Sequence, residues 1–372
     1  MGAPTVFVSA GEPSGDAHAG AFVSALRAAV PSLRIEGFGG PRMAEAGAEL
    51  MARIEDLTVM GFVEVVAKVP AHASLLRAMR ARFARGDIGL VVLVDYPGFH
   101  LHVAEAARRA GIPVLYYIAP QMWAWAEHRV RKLRDRVSHL AVILPFEEAF
   151  FRRHGVATTF VGHPLLDRVP AATDRRAAAL ALGLDPARPV LSVFPGSRGQ
   201  EVRRLWPAFR GAAELVRRAR PEVQVVVAGT AAGAYPDAGE IRVVADRAAL
   251  VLAASDAALC KSGTTTLEAA IALVPLAIAY KVHPLSYALA RALATLRWIG
   301  LVNLVAGREV APEFIQGRVR PKLLAGALLP LLTEGSPERA GQLEGLREVR
   351  RRLGEPGASA RAAVIARSLL GL

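Results

Sequence analysis

Twice in this chain an apolar strand runs straight into a small, glycine-bearing turn with an acid or base behind it, once at the head of each half. The first instance is Thr5-Val-Phe-Val-Ser-Ala-Gly-Glu-Pro-Ser-Gly-Asp16 and the second is Pro189-Val-Leu-Ser-Val-Phe-Pro-Gly-Ser-Arg-Gly-Gln-Glu201. A strand that feeds a Gly/Ser turn and then a helix N-terminus offers unpaired backbone N–H groups to phosphate or sugar hydroxyls. One such turn is ordinary. One in each half predicts an α/β chain of two Rossmann-like parallel-sheet domains facing each other across a ligand cleft.

Length agrees, since 372 residues is about two typical domains. Strand-like runs are expected near 5–10, 33–38, 88–95, 112–118, 139–144 and 158–162, then near 189–194, 223–228, 241–244, 256–260 and 275–280. Several, such as Ile88-Gly-Leu-Val-Val-Leu-Val94, are continuously apolar, the mark of central parallel strands buried on both faces. Helix-period segments lie between them at Leu75–Ala84, Val103–Ala110, Val202–Arg218 and Leu285–Leu296. A Gly/Pro-bearing stretch at 162–170 sets the boundary, giving domains 1–167 and 168–345. A helical tail, 346–372, is broken at Gly354-Glu-Pro-Gly357 and is expected to cross back to a first domain, its own or a partner's.

Charge narrows the partners. Against 33 Asp+Glu stand 46 Lys+Arg, for a net +13, which favours nucleotides, phosphorylated lipids or anionic membrane surfaces. Nucleic acid is not expected, because the basic residues are scattered through helices without aromatic platforms or zinc spacing. The lone Cys260, ending an apolar run, reads as a small buried residue in a reducing compartment. Met1-Gly-Ala-Pro4 leads into a strand without a basic region, and the longest apolar run, Ala269–Tyr280, is too short to span a bilayer. A cytosolic or membrane-surface protein is expected.

Each motif has a chemical and a structural reading. In the first turn Ser14 suits a helix cap and Asp16 either a cap or a ligand, while Glu12, at a strand's carboxyl end, suits a ligand. Asp95 ends the most hydrophobic strand, in Val94-Asp-Tyr-Pro-Gly-Phe-His100. A carboxylate there is partly desolvated and suited to general-base work; the alternative is a turn Asp bonding nearby amides. Tyr116–Trp125 gathers two of the four Trp on a loop, for sugar or acyl contact or for a domain seam. His100 and His102 resemble a metal pair, but no carboxylate or Cys cluster completes one, so no metal and no cofactor is expected. In the second half, Gly196, Ser197 and Arg198 with Glu201, and Lys261-Ser-Gly-Thr-Thr-Thr-Leu-Glu268, offer donors to a diphosphate, with Glu268 placed for ribose hydroxyls. Neither turn is a P-loop.

Taken together these motifs carry a resemblance. Ser9–Asp16, Met60-Gly-Phe-Val-Glu-Val65, Asp95–Phe99, Tyr117–Trp125, Pro145-Phe-Glu147, Phe160–Leu165, Phe194–Arg198, Ser262–Glu268 and Pro312-Glu-Phe-Ile-Gln316 occur in one order, and the whole chain resembles the lipid-A-disaccharide synthases. The resemblance implies a GT-B fold and a metal-independent, inverting transferase. Its reaction joins UDP-2,3-diacylglucosamine to 2,3-diacylglucosamine 1-phosphate (lipid X) on the cytoplasmic face of the inner membrane. It implies peripheral attachment to anionic lipid and, in some members, homodimers that exchange C-terminal segments. Three positions depart from the pattern: His100 stands where Asn is common, Lys261 replaces a small residue, and Ala311 replaces Val.

Carried onto this sequence, the resemblance makes Asp95 the base and Arg198 the group that holds departing UDP. It places Ser9, Gly11, Glu12, Ser14, Gly15, Asp16, Gln121 and Trp123 on the acceptor side. On the UDP side it places Gly162, His163, Gly196, Ser197, Arg198, Glu201, Ser262, Gly263, Thr264, Thr265, Thr266, Glu268, Asn303, Glu313 and Gln316. Met60–Val69 and Leu75–Phe83 are expected to draw the first domain to lipid. The rivals are another GT-B protein, such as a UDP-N-acetylglucosamine 2-epimerase or the peptidoglycan-precursor transferase, and a module that binds UDP-sugar without turnover. Neither enzymatic rival carries the Ser-Gly-Glu-x-Ser-Gly-Asp opening or the Pro-Gln-x-Trp-Ala-Trp loop.

Overall fold

Two wholly parallel sheets organise the chain. The computed structural model describes residues 4–54, 64–125, 127–169, 174–284, 287–288, 291 and 296–372, with only the backbone of 64–69. The first sheet holds β1 (Thr5–Ala10), β2 (Arg34–Gly39), β3 (Glu49–Arg53), β4 (Ile88–Val94), β5 (Val114–Tyr117), β6 (His139–Val142) and β7 (Thr158–Phe160), in the order β3-β2-β1-β4-β5-β6-β7. The second holds β8 (Val190–Phe194), β9 (Gln224–Gly229), β10 (Arg242–Ala245), β11 (Ala257–Lys261), β12 (Leu276–Tyr280) and β13 (Glu313–Ile315), in the order β10-β9-β8-β11-β12-β13.

The helices between them are α1 (Pro13–Ala29), α2 (Pro41–Glu45), α3 (Glu64–Phe83), α4 (Pro97–Arg109), α5 (Val130–Arg134) and α6 (Pro145–Arg153) in the first half. In the second they are α7 (Leu165–Arg168), α8 (Arg175–Ala181), α9 (Gly199–Ala219), α10 (Ala248–Ala253), α11 (Thr265–Ile271), α12 (Leu301–Ala306), α13 (Pro321–Leu332) and α14 (Pro337–Arg352). A last helix, α15 (Ala358–Leu369), ends the chain. The unit made of Met1–Pro164 and Gly354–Leu372 carries the first sheet, and Leu165–Leu353 carries the second. Residues 346–353, read from sequence as tail, therefore complete α14 within the second unit.

Local chemistry explains the elements. In β4 every residue but Gly89 is buried, as a strand covered on both faces requires. On α15 the small residues Ala358, Ala362, Ala363 and Ala366 are all at most 2% exposed and join one core with Phe22, Val23 and Leu26 of α1. Pro337 at the first turn of α14 and the Ser336 hydroxyl, which accepts the Arg339 amide at 3.1 Å, start that helix cleanly. The β3 and β13 strands were not foreseen: β3 alternates half-buried and exposed residues at a sheet edge, and β13 has only 3 residues.

The segments expected to draw the first domain to lipid are described only in part. Residues 60–63 and the side chains of 64–69 lie outside the described residues. Leu75, Met79 and Phe83 of α3 recur at helical spacing and are at most 7% exposed, with Phe83 edge-on to Phe7 of β1 at 5.2 Å. That apolar face belongs to the core, and Arg77 and Arg80 stand exposed on the outer side of α3. The helix expected at Leu285–Leu296 falls largely outside the described residues. Among the described residues no helix is long and apolar enough to cross a membrane.

Candidate active site

In each unit the strand order reverses between its first strand and the strand on the other side of it, β1 and β4 in one, β8 and β11 in the other. Ligands of open α/β sheets bind at such points, beyond the carboxyl ends of the strands. Register makes those ends level: Ala10 pairs with Val94, and Cys260 with Phe194. Gly11–Glu12 thus emerges beside Asp95–Tyr96, and Pro195–Arg198 beside Lys261–Gly263. Those are the two turns and the two motifs singled out from sequence.

In the first unit Asp95 follows β4 directly, and Asp95 and Tyr96 both sit in the left-handed region at φ +53° and +54°. The Asp95 carboxyl forms no ion pair among the described residues. Burial, then the nearby Glu12, pushes its pKa above the ordinary carboxylate range, with the Tyr96 amide opposing. Gly11 is required here by space rather than by conformation. A Cβ on it would stand 2.1 Å from the Tyr96 ring, so only glycine lets that ring lie across the β1 turn. Tyr96 Oη lies 2.6 Å from His72 Nε2 of α3, and the two rings stack at 5.9 Å. Gly15 is under no such constraint, since a Cβ there would make only ordinary contact with the Val94 carbonyl at 3.5 Å. Glu12 and Ser14 are exposed, and α1 starts at Pro13, so Ser14 caps nothing.

Other expected acceptor-side groups are engaged elsewhere. Asp16 is 2% exposed and points away from its own helix terminus. Its Oδ1 accepts the amides of Gly40 and Met43 at 2.8 and 3.2 Å, and its Oδ2 the amide of Arg42 at 2.9 Å, which caps α2. Ser9 is fully buried and donates to His100 Nε2 at 2.9 Å. Trp123 is buried edge-on to Phe146 at 4.9 Å and donates from Nε1 to Glu147 Oε1 at 2.9 Å. On that loop it is Gln121 and Trp125 that face solvent, and the Arg129 guanidinium stands 5.8 Å from the Trp125 ring.

Gly162 and His163, assigned to the UDP side from sequence, fall in the first unit. His163 is 5% exposed, and burial, with His18 of α1 nearby, pushes its pKa down to about 4, so it is neutral and packed. Gly162 sits where the chain returns: a Cβ on Gly354 would lie 3.3 Å from its Cα.

In the second unit Glu201 organises the β8 turn. Its Oε2 accepts the amides of Ser197 and Arg198 at 3.2 and 3.4 Å, and its Oε1 lies 2.9 Å from Lys261 Nζ. Burial opposes the charge on Glu201, but the Lys261 pair and those amides prevail and hold its pKa below the usual range. The unusual Lys261 therefore ties the end of β11 to the β8 turn. Gly196, at φ +119°, must be glycine, because a Cβ would meet Glu201 Oε2 at 2.5 Å. Arg198 is exposed and forms no ion pair among the described residues. After β11 the amides of Gly263, Thr264 and Thr265 have no protein partner among the described residues, as the first turn of a helix leaves them. Thr266 is fully buried and donates to the Gly263 carbonyl at 2.8 Å, bracing that turn. Glu268 is largely buried, which raises its pKa, with Arg168 opposing.

Asn303, Glu313 and Gln316 prove to be braces. Asn303 is fully buried and uses its whole amide: Oδ1 accepts from Val310 and Ala311 at 2.7 and 2.9 Å, and Nδ2 donates to the Ala311 carbonyl and to Glu313 Oε1, both at 2.8 Å. Glu313 also accepts the amides of Ile299 and Gly300 at 2.9 and 2.8 Å. Ser262 completes the brace by donating to the Ile299 carbonyl at 2.9 Å. Gln316 pairs with both backbone groups of Val282, at 3.1 and 3.2 Å. Beside them Arg203, Arg204 and Lys281 line a cavity of about 450 Å³ at the same edge of the sheet.

Sequence reasoning missed Tyr96, His72 and Tyr116 as members of the first-unit cluster. Adjacency to Asp95 signalled the first; nothing local signals the others.

Two outcomes follow. Gly11→Ala drives Tyr96 off the β1 turn and is expected to lower kcat/KM about 10-fold or more, read by steady-state kinetics. The second concerns Glu147, fully buried with a pKa raised to about 7, chiefly by burial. The folded chain holds a proton there that the unfolded chain has released, so the stability that Glu147 contributes is fully present below pH 4.5 and is lost as pH rises through about 7. Glu147→Gln is expected to remove that loss, about 3 kcal/mol for a rise from 4.5 to about 7, in denaturant titrations at pH 5 and pH 8.

Comparison with known proteins places this geometry. The family model of lipid-A-disaccharide synthetase matches residues 6–367. A lipid-A-disaccharide synthase of Trichlorobacter lovleyi is 40% identical over 98% of this chain and 97% of its own. One of Anaeromyxobacter sp. is 41% identical over 99% and 97%. Among solved structures, the glycotransferase of kitacinnamycin superposes with a TM-score of 0.68 at 17% identity over 100% of both chains. A UDP-GlcNAc 2-epimerase from Neisseria meningitidis bound to UDP-GlcNAc does so at 0.61 and 10%, over 100% of both. The fold is GT-B, and with a family match spanning nearly every residue the chain belongs to the lipid-A-disaccharide synthase family of glycosyltransferases.

Proposed function

We propose that the protein transfers 2,3-diacylglucosamine from UDP to the 6-hydroxyl of 2,3-diacylglucosamine 1-phosphate with inversion, releasing UDP and a β-1,6-linked tetraacyl disaccharide 1-phosphate. The observation that carries it is Asp95, a carboxylate without an ion-pair partner among the described residues, kept basic by burial at the switch point of the first sheet. Asp95 takes the proton of the acceptor hydroxyl as that oxygen attacks the anomeric carbon. The bond from that carbon to the diphosphate breaks, and UDP departs with the electron pair.

Charge on the leaving diphosphate is met by the Arg198 guanidinium and by the open amides of Gly263, Thr264 and Thr265. Glu268 then suits the ribose hydroxyls. Glu12, Gln121 and Trp125 remain exposed to meet the acceptor sugar. Ser9, Asp16, Trp123, Asn303, Glu313 and Gln316 serve by holding loops rather than by touching substrate.

Acylated substrates call for a membrane surface. The net charge of +13 and the exposed Arg77 and Arg80 of α3 support attachment to the anionic cytoplasmic face of the inner membrane. A homodimer that exchanges C-terminal segments belongs to the same reading; in the single chain α15 packs on α1.

The test is turnover in detergent with EDTA, followed by mass spectrometry of the tetraacyl disaccharide 1-phosphate. Asp95→Asn is expected to lose about 10²- to 10⁴-fold in rate with the fold intact. Arg198→Ala is expected to lose about 10²-fold or more. No product from the wild-type protein, or near-normal turnover by Asp95→Asn, would refute the assignment.

A further inference from the structure

The backbone that presents Asp95 is held in place at unusual expense. Asp95 and Tyr96 are consecutive left-handed residues that both carry a Cβ, a conformation that persists only where the surroundings impose it. The Asp95 amide donates to the Tyr117 carbonyl at 3.1 Å. Its carbonyl oxygen accepts two side-chain bonds, from Tyr116 Oη at 2.7 Å and His100 Nδ1 at 2.6 Å. A carbonyl only accepts, so His100 carries its proton on Nδ1, and Nε2 is left to accept the Ser9 hydroxyl at 2.9 Å. Burial pushes the His100 pKa down to about 4, so the ring is neutral and this arrangement is the one present near pH 7.

Two elements thus converge on one peptide group, α4 through His100 and β5 through Tyr116, and β1 backs the His100 ring through Ser9. Both donors are 0% exposed. A loop carbonyl at the edge of a sheet is ordinarily served by water. Burying an imidazole and a phenol to serve it carries a desolvation cost that a turn alone does not require.

We infer that His100 and Tyr116 are positioning residues that clamp the Asp95 carbonyl and so fix the direction in which its carboxylate is presented to the acceptor hydroxyl. This rests on the reading of Asp95 as the base. The clamp acts on the orientation of the base and not on substrate binding, so its loss is felt in kcat and not in KM. His100 adds a link that a shorter amide side chain lacks, joining the end of β1 to the end of β4.

The experiment measures kcat and KM of the full chain with UDP-2,3-diacylglucosamine and 2,3-diacylglucosamine 1-phosphate for Tyr116→Phe, His100→Leu and His100→Asn. Each is made in the wild-type and the Asp95→Asn backgrounds. Tyr116→Phe keeps the ring and the fold, so it decides the matter even if His100→Leu does not fold. The expected result is a fall in kcat of about 10-fold for Tyr116→Phe and about 100-fold for His100→Leu, with KM unchanged. His100→Asn, which retains a donor, recovers most of the loss, and in the Asp95→Asn background neither substitution slows the residual rate further. Wild-type kcat in Tyr116→Phe, or equal losses in both backgrounds, overturns the clamp while leaving Asp95 as base. Near-normal turnover by Asp95→Asn alone overturns the base reading and the clamp's purpose with it.

Discussion

Parallel strands that are level at their carboxyl ends, but whose following chains leave toward opposite faces of the sheet, open a gap that their own crossovers do not fill. The rest of the structure depends on that constraint. After β1 the chain turns into α1, whose apolar face shares a core with α15, while α4, after β4, packs with α3. What lies between is the pair of exits Gly11–Glu12 and Asp95–Tyr96. The second sheet repeats the scheme with Gly196–Arg198 and Ser262–Thr265. Right-handed crossovers make this geometry general, and the chain's own chemistry is placed on it.

Most of the polar residues around these exits bond to the backbone. Asp16, Glu201, Glu313, Asn303 and Gln316 each satisfy amides or carbonyls in loops that have no ladder to join. Loop amides near a sheet edge need partners when they are shielded from water, and a carboxylate supplies several acceptor sites at once. The result is a rigid edge on which few groups stay uncommitted. In the first unit the principal one is Asp95, and in the second Arg198 with the amides that open α11. The separation between braces and open groups distinguishes structural carboxylates from the one assigned to catalysis.

Much of this was legible in the sequence, and the rest failed for identifiable reasons. Continuous apolar runs marked β1, β4, β8 and β11, and the turns after them fell where the switch points lie. Strand β3 was invisible because an edge strand alternates, and β13 because three residues carry no period. Leu75, Met79 and Phe83 gave a helical period, and the sheet beneath them makes their face part of the core. Gly162 and His163 lie in the first unit, where the expected boundary at 167 already put them, and the chain leaves that unit at Pro164. The partners of Asp95 were out of reach for a different reason. Tyr116 is brought to it by β5, and His72 of α3 reaches only its neighbour Tyr96; no local pattern records such contacts between elements.

The chemistry of the first unit turns on Asp95 working as a base whose affinity for protons is raised by burial. The most direct measurement is the pH dependence of kcat/KM for the wild-type chain and for Glu12→Gln. A base works ionised, so the rate constant is full at neutral pH and falls as pH drops through the Asp95 pKa. An acid limb is expected above the ordinary carboxyl value of 3.8, moved downward in Glu12→Gln because that charge no longer opposes ionisation. An acid limb at the ordinary value, unmoved by Glu12→Gln, would contradict this role for Asp95.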